Sequence, residues 1–292
     1  MSRRTTSRVR GKRHIVCLTF DFDAISGFIA RGLTSPSWIS RGEYGPRVGV
    51  PRLLALLAKY GIKSTWFVPG HTIETFPQAC EKVAAAGHEI AHHGWTHRPP
   101  ASLTREQEEN ELIRGNEAIR KLTGRKARGY RSPAWDLSPH SVELFLKHGF
   151  LYDSSLMGDD YTPYYARSGD AIELEKLARF GKETGLVEMP IHWATDDAPH
   201  FEFVRTETAN RQGLMNANAV GENWINDFLY MRDTVEWGVL TYTCHPFVIG
   251  RGARMMMLEK VIKTAAENGA VFMTVEDAAA EFRQRVPPKS VT

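Results

Sequence analysis

The sequence has few cysteines, and they show none of the spacings that mark disulfide-rich proteins. Cys17, Cys80 and Cys244 are the three cysteines of the 292 residues, and none belongs to a CxxC pair. An odd number of separated cysteines argues against a disulfide framework, so we expect small buried core residues. Cys244 precedes His245, which leaves a thiol nucleophile as an alternative, although no signature of the cysteine proteases surrounds it.

Long apolar runs, tandem repeats and low-complexity linkers are also missing. Hydrophobic residues make up 42% of the chain and charged residues 24%, which is typical of a soluble globular protein and argues against a membrane span. The apolar run from Ile15 to Phe20 is too short for the core of a signal peptide, and it stops at Asp21. We therefore expect a cytoplasmic protein without a membrane partner.

Acidic residues are absent from the first thirteen positions, where the six basic residues are Arg3, Arg4, Arg8, Arg10, Lys12 and Arg13. Subtracting these six charges from the formal net charge of +3 leaves −3 for the rest of the chain. We interpret residues 1–13 as a disordered basic tail and residues 14–292 as a single domain. A contact between the tail and nucleic acid is the alternative, but we expect no nucleic-acid partner.

Short β-rich runs alternate with amphipathic helical patterns through most of the chain. The strand candidates are His14 to Phe20, Ser64 to Val68, Glu89 to Ala91, Gly129 to Ser132, Leu186 to Ile191, Val239 to Thr243 and Ala270 to Thr274. The clearest helix candidates are Gly49 to Lys59, Glu106 to Leu122 and Ser138 to Lys147. Repeated strand-helix-strand order predicts a parallel α/β sheet, and seven strands favour a barrel whose catalytic side chains follow the strand ends.

Two segments are too long for simple connections between strands and helices. They are Met157 to Thr184 and Trp193 to Ala219. Because connections of this length in compact domains are usually functional, we expect each to be a lid over the catalytic end, an oligomer contact or both.

Two aspartates follow the first strand candidate. Asp21 and Asp23 are separated by Phe22, and alternate residues of a strand point to the same side. Two carboxylates on one face repel each other unless a cation lies near them, so the pair suits one carboxylate on a metal and another beside its water. A solvated turn or a helix N-cap is the alternative for the pair taken alone.

Two histidines follow the third strand candidate, in the segment HHGWTH. His93 and His97 are four residues apart, so one helical turn would place both imidazoles on the same side, while His92 points elsewhere. Satisfied core histidines are the alternative. Together with Asp23, the pair predicts two imidazoles and one carboxylate with a free position for water, as catalytic zinc requires.

Two later strand candidates also end in residues that suit catalysis. Arg131 is placed to pair with Asp21, and Trp135 would form an apolar wall beside it; a surface arginine and a core tryptophan are the alternative. His245 lies between Cys244 and Pro246, where the proline stops the strand. An imidazole there suits a general acid, and a buried structural histidine is the alternative.

In this order, the segments TFDFD, HGWTH, RSPAW and TCHP resemble the motifs of the polysaccharide deacetylase family. The resemblance runs from Ile15 to Phe282 and implies a distorted (β/α)7 barrel with parallel strands. Its implied site residues are the catalytic base Asp21, the metal ligands Asp23, His93 and His97, the base's partner Arg131 and the catalytic acid His245. The implied reaction is hydrolysis of a non-peptide carbon–nitrogen bond with a divalent ion, which we expect to be zinc.

The first motif departs from the pattern of carbohydrate-active members of the family. Those members usually have two adjacent aspartates followed by glycine, whereas Phe22 intervenes and Ala24 follows here. Several other stretches, such as VEMPIHWATDDAP, resemble a subgroup that contains a peptidoglycan deacetylase, cyclic imide hydrolases and metal-independent allantoinases. This likeness implies a cytoplasmic homo-oligomer, often a tetramer, and a site that can also work without metal.

These features favour a small cyclic imide or ureide as the substrate. We expect it to contact Pro133 and Trp135 beside Arg131, Tyr165 and Trp193 in the two long segments, and His192 just before the second of them. An N-deacetylase of a glycan that contains N-acetylglucosamine is the alternative. A non-catalytic binding protein on the same scaffold is a second alternative.

Overall fold

Seven parallel strands form the centre of the computed structural model, which describes residues 11–206 and 210–289. The strands are β1 (Arg13–Asp21), β2 (Thr65–Val68), β3 (Glu89–His92), β4 (Gly129–Tyr130), β5 (Tyr152–Asp153), β6 (Tyr164–Ser168), β7 (Lys182–Glu188), β8 (Val204–Arg205), β9 (Asn210–Arg211), β10 (Trp237–Cys244) and β11 (Val271–Phe272). The parallel strands lie in the order β10-β1-β2-β3-β4-β5-β7. β6 pairs antiparallel with β7, β11 pairs with the first half of β1, and β8 and β9 form a separate ribbon.

Helices connect most of these strands. They are α1 (Ser26–Ile29), α2 (Pro36–Tyr44), α3 (Val50–Lys59), α4 (Gly70–Thr75), α5 (Pro77–Ala85), α6 (Arg105–Thr123), α7 (Ser141–His148), α8 (Asp197–Phe201), α9 (Ala217–Thr234), α10 (Pro246–Ile249), α11 (Gly252–Glu267) and α12 (Val275–Arg285). The longest, α6, begins with a capping box between Thr104 and Gln107 and ends at Gly124 in the left-handed conformation. These are the start and stop signals that helices prefer.

The expected (β/α)7 barrel is confirmed, but one of its strands differs from the prediction. The seventh strand candidate, Ala270 to Thr274, forms the short β11, which pairs parallel with β1 outside the main strand order, and the seventh strand of that order is instead β5. β5 has only two residues, Tyr152 and Asp153, so its sequence carries no periodic pattern that could indicate a strand.

The barrel is open on one side, between β7 and β10. In the described residues, no strand ladder joins these two strands. The seam is bridged locally, because Val239 N donates to the carbonyl of Tyr161 at 2.8 Å and Asp196 forms a single bridge with Thr243. The sheet is therefore a curled half-barrel rather than a closed cylinder.

Alternation along β1 divides the core into two layers. Val16, Leu18 and Phe20 belong to the larger apolar cluster, whereas Ile15 and Cys17 belong to a smaller cluster with α12. The same alternation places Thr19 and Asp21 on the face of Ile15 and Cys17, which is the interior of the barrel.

The helix α12 fills the end of the barrel where the strands begin. Its first amide groups donate to side chains at the starts of β2 and β3: Val275 N to Thr65 Oγ1 at 2.8 Å and Glu276 N to Glu89 Oε2 at 3.1 Å. With that end filled, the described residues leave the interior accessible where the strands finish.

The expectation for the cysteines is confirmed, since all three are buried and free. Burial raises the pKa of the Cys80 thiol to about 12, and it raises those of Cys17 and Cys244 further. Such thiols stay protonated at neutral pH, which removes Cys244 as a candidate nucleophile.

Most of the predicted basic tail lies outside the described residues. Of residues 1–13, the structure describes only 11–13, and Arg13 already belongs to β1. Among the helices of the described ranges, none is both long and apolar enough to cross a membrane.

Candidate active site

A cavity of about 180 Å³ opens where the parallel strands end, and it gathers most of the predicted site residues. Its walls consist of Asp21, Asp23, Ala30, Arg31, His93, His97, Pro99, Ala134, Trp135, Trp193, Asp196, Ala198, Glu202, Arg211, His245 and Phe247. These residues come from the ends of β1, β3 and β10 and from the connections that follow β4 and β7. This position is where barrel enzymes place their chemistry.

Asp23, His93 and His97 form one cluster in this cavity. His93 Nε2 lies 3.4 Å from Asp23 Oδ1, and His97 Nε2 lies 3.3 Å from Asp23 Oδ2. His93 Nδ1 donates to the backbone carbonyl of Arg131 at 2.7 Å, so this bond fixes the ring and directs Nε2 toward Asp23. One potential ligand atom from each of the three residues lies within 4.8 Å of the other two.

The route by which the two histidines meet differs from the prediction. The chain from His93 to His97 is a loop rather than a helical turn. Gly94 has φ 71° and His97 has φ 60°, so left-handed residues, not helical spacing, bring the rings to a centroid distance of 4.9 Å. His92 turns away, as expected, and its Nε2 bonds the carbonyl of Leu112.

The cluster fits a divalent metal ion. Asp23 Oδ1 and His93 Nε2 are buried polar atoms that have no hydrogen-bond partner in the described residues. Buried polar atoms are rarely left unpaired, and one carboxylate with two imidazoles is a donor set that zinc accepts. The pKa of Asp23 is held well below its usual range: burial alone would raise it, but His97 and His93 outweigh that effect.

Asp21 lies beside this cluster but has a different partner. Its Oδ1 accepts from Arg131 Nη1 at 2.8 Å, while its Oδ2 is 3.8 Å from His93 Nε2. Arg131 is completely buried, and its guanidinium also donates to Thr19 Oγ1, Ser154 O and Ser154 Oγ. Asp21 is thus held by an arginine, and Asp23 faces two imidazoles.

His245 approaches the cavity from β10 and is held by two aspartates that we did not predict as site residues. Its Nδ1 donates to Asp197 Oδ1 at 2.7 Å and lies 3.5 Å from Asp196 Oδ1, which leaves Nε2 facing Asp23 Oδ2 at 3.8 Å. Burial alone would lower the pKa of His245, but Asp196 and Asp197 raise it well above its usual value. Burial raises the pKa of Asp196 to about 7.

The signal for these two aspartates was present in the sequence. Asp196 and Asp197 are adjacent acids inside a long apolar-flanked segment, and Asp196 caps α8 by accepting from Ala198 N at 2.8 Å. An adjacent acidic pair in such a segment is a reason to look for a basic partner. Asp196, Asp197 and His245 are also close enough to hold an ion, but the Nδ1 proton of His245 already joins it to Asp197.

Two tryptophans that follow different strands are in contact at the wall of the cavity. The rings of Trp135 and Trp193 are stacked, with centroids 4.0 Å apart. Trp135 is buried, whereas Trp193 is 41% exposed and belongs to the second long segment. Positive φ angles at Ala134 and Trp135, and at Ala24 next to Asp23, add backbone strain around the same opening, as is common at functional sites.

Three residues that we expected to contact the substrate do not line this cavity. Pro133 is buried and packs next to Gly94. Tyr165 packs on Phe282 of α12, and its hydroxyl donates to the carbonyl of Val286, toward the other end of the barrel. His192 lines a separate cavity of about 130 Å³ at the open seam.

Comparisons with known proteins agree with this architecture. Residues 9–152 match the family model described as polysaccharide deacetylase. The peptidoglycan deacetylase of Helicobacter pylori is 38% identical, over 95% of this chain and 99% of the relative. A solved structure from Mycobacterium smegmatis, whose polysaccharide deacetylase assignment is itself inferred, has a TM-score of 0.84 and 34% identity, and the match covers 97% of this chain and 94% of that one.

A further solved structure shares the fold. The PuuE allantoinase has a TM-score of 0.77 at 21% identity, with 98% of this chain and 94% of that chain covered. Taken with the barrel, the four ordered motifs and the extent of the Helicobacter pylori match, these comparisons show that the chain belongs to the polysaccharide deacetylase family, whose members are hydrolases of carbon–nitrogen bonds other than peptide bonds.

Proposed function

We propose that the protein is a metal-dependent N-deacetylase of an N-acetylated sugar unit. The observation that carries this proposal is a pair of buried atoms, Asp23 Oδ1 and His93 Nε2, that find no hydrogen-bond partner among the described residues and lie beside an aspartate held by Arg131. The names of the relatives favour a glycan over the cyclic imide or ureide that the sequence departures suggested. The N-deacetylation alternative therefore becomes the first candidate.

Asp23, His93 and His97 would hold the ion, for which we propose zinc. When bound, a divalent ion polarises a carbonyl and lowers the pKa of water. The three side chains come from two parts of the barrel: Asp23 follows β1, and both histidines lie in the loop after β3.

Asp21 is the proposed base. Its Oδ1 is occupied by Arg131, so Oδ2 is the oxygen that can take a proton from the attacking water. The water oxygen forms a bond to the acetyl carbon as its proton passes to Asp21. Arg131 orients Asp21, and its guanidinium has no other acid within hydrogen-bond distance in the described residues.

His245 is the proposed acid. Because Asp197 holds the Nδ1 proton, the Nε2 proton is the one directed into the cavity. When the carbon–nitrogen bond breaks, this proton passes to the departing nitrogen, so the products are acetate and the free amine. Asp197 acts through His245 and is a positioning residue.

The small cavity favours cyclic imides or ureides as a second candidate substrate class. A volume of about 180 Å³ under a stacked tryptophan pair accommodates a single ring more readily than an extended polymer. A glycan deacetylase with this cavity would act on one unit at a time, or on a chain end.

A panel of substrates separates these candidates. The purified protein, loaded with one equivalent of zinc, is assayed for acetate release from N-acetylglucosamine and its oligomers and for ring opening of succinimide, dihydrouracil and allantoin. Acetate release that disappears with a chelator and returns with zinc supports the proposal. Ring opening without acetate release would favour the second candidate, and turnover of neither class would favour the non-catalytic binding protein.

Cytoplasmic location and self-association stay predictions. The first long segment offers a place for a subunit contact, because Ile172, Leu174, Leu177 and Phe180 are all at least 65% exposed. Light scattering coupled to size-exclusion chromatography gives the number of subunits directly.

A further inference from the structure

A second set of charges lines the same cavity beside the proposed catalytic groups. Arg31, which follows α1, and Arg211 of β9 share the cavity wall with Asp23 and His97. The catalytic steps proposed above use neither arginine.

Arg31 is anchored to the backbone that packs on the candidate metal ligands. Its Nε donates to the carbonyl of Gly27 at 2.8 Å. A Cβ atom on Gly27 would lie 3.6 Å from Asp23 Oδ2 and 3.6 Å from His97 Nδ1. This hydrogen bond holds the guanidinium of Arg31 near the candidate metal ligands, where it can contact a small molecule in the cavity.

Three arginines lie around the carboxylate of Glu202 at this part of the wall. Glu202 is buried and accepts from Arg211 Nη1 at 2.7 Å through Oε2. Its other oxygen, Oε1, lies 3.9 Å from Arg31 Nη2 and 3.8 Å from Arg41 Nη2, and it has no hydrogen-bond partner in the described residues. Neutralising Glu202 requires one guanidinium, but three surround it.

Arg41 and Arg31 play different parts in this arrangement. Arg41 donates to the carbonyl of Phe203 and stacks on the rings of Trp38 and Phe247, so it is packed into the wall. Burial lowers the pKa of Arg41, Glu202 opposes this effect, and the neighbouring charges of Arg31, Arg251 and Arg211 add to it. Three guanidinium groups thus lie around one carboxylate, and Arg31 and Arg211 are the two that line the cavity.

We propose that Arg31 and Arg211 form an acid-binding subsite, so that the substrate carries a carboxylate on the same unit as the acetamido group that is cleaved. Guanidinium groups bind carboxylates through paired charge-assisted hydrogen bonds. Because the cavity is small, the carboxylate and the amide belong to one unit rather than to distant parts of a polymer. A sugar with an N-acetyl group and a lactyl ether carboxylate has this chemistry. The proposal rests on the proposed deacetylation, whose substrate class it narrows.

The test compares two ligands that differ only in charge. Acetate release from N-acetylmuramic acid and from its lactyl carboxamide is measured for the zinc-loaded protein, and binding of both is measured by calorimetry. We expect kcat/KM and affinity to favour the acid by about tenfold or more, as the loss of one charge-assisted bond implies. Arg31→Gln and Arg211→Gln should each bring the ratio toward one. Arg120→Gln, on the exposed end of α6, is the matched control and should keep the ratio.

The outcomes separate this proposal from the proposed function. Equal turnover of the acid and the carboxamide would overturn the subsite and leave the deacetylase. Tighter binding of the acid that Arg31→Gln removes, without turnover of either compound, would support the subsite and contradict the deacetylation. If neither compound is preferred in binding or turnover, the subsite is wrong. The comparison within the unmodified protein stands even if a variant fails to fold.

Discussion

Arg131 Nη1 and Asp21 Oδ1 are 2.8 Å apart in the interior of the barrel, where Arg131 is completely buried and Asp21 is 1% exposed. The ion pair sits directly above the layer of Ile15 and Cys17, and it joins β1 to the end of β4 across the sheet. A pair in this position serves both stability and catalysis, because the same guanidinium that compensates the buried charge also orients the carboxylate.

We expect Arg131→Met to lower the free energy of unfolding by about 3–5 kcal/mol, since it leaves Asp21 as an uncompensated buried charge. Urea denaturation measures this loss. Adding Asp21→Asn to Arg131→Met should restore part of the stability, because the unpaired charge is then removed. Additive losses in the double variant would show that the two side chains do not interact in this way.

The two aspartates should respond differently to mutation. Asp21→Asn should retain the metal and lose turnover by about 10²–10⁴-fold, the contribution typical of a general base. Asp23→Ala should lose metal and turnover together. Metal content by elemental analysis and acetate release are measured on the same preparations. A fully active Asp21→Asn variant, or a metal-replete and active Asp23→Ala variant, would reverse these assignments.

His245 is expected to matter only when the leaving group needs a proton. His245→Ala should lose most activity toward an N-acetyl sugar, whereas it should keep activity toward an aryl acetate, whose phenolate leaves unprotonated. Asp197→Asn should show the same pattern more weakly, since Asp197 acts through the Nδ1 proton of His245. Equal losses on both substrates would mean that His245 has another role.

The stack of Trp135 and Trp193 is expected to limit the size of the substrate. Trp193→Ala should widen the opening, raise KM for a single N-acetyl sugar and improve kcat/KM for longer oligomers relative to it. Steady-state kinetics on a series of chain lengths gives the comparison. Tyr230→Ala, which removes an exposed aromatic residue of α9 outside the cavity wall, is the control. An unchanged length preference in Trp193→Ala would argue against a lid.

Glu89 should make stability depend on pH. It is buried, and burial raises its pKa from 4.5 to about 7 in the folded protein. A carboxyl whose folded pKa is raised stabilises the fold fully below the unfolded value and loses that contribution as the pH rises through the folded value. Between pH 5 and 8, the stability of the unmodified protein should fall by roughly 2–3 kcal/mol relative to Glu89→Gln. Urea unfolding of both proteins across this range measures the difference, and parallel curves would contradict it.

Local patterns in the sequence account for most of the barrel and for the residues at its strand ends. Asp21, Asp23 and His245 each lie within three residues of a strand whose apolar pattern is clear, so their meeting at one edge follows from parallel topology. The loop from His93 to His97 has no periodicity, and its left-handed residues cannot be read from spacing. The two histidines lie close together as predicted, but the helical turn from which this was inferred is absent between His93 and His97.

Contacts between distant segments explain what the sequence could not show. Asp197 meets His245 across 48 residues, and only the folded chain brings them together. Tyr165 lies in β6, the antiparallel strand, which directs it toward α12 instead of the cavity. Adjacent residues differ in the same way, since Trp193, the first residue of the second long segment, lines the cavity, whereas His192, just before it, faces the open seam.

The position of α12 inside the barrel also bears on how the protein is made. Val275, Ala278, Ala279 and Phe282 complete the apolar cluster that contains Ile15 and Cys17, although they follow all of the strands along the chain. During synthesis from the amino terminus, the inner face of the first strand therefore stays uncovered until the last helix has been made. The exposed interior of the half-finished barrel is where a nascent chain of this protein would most need protection from aggregation.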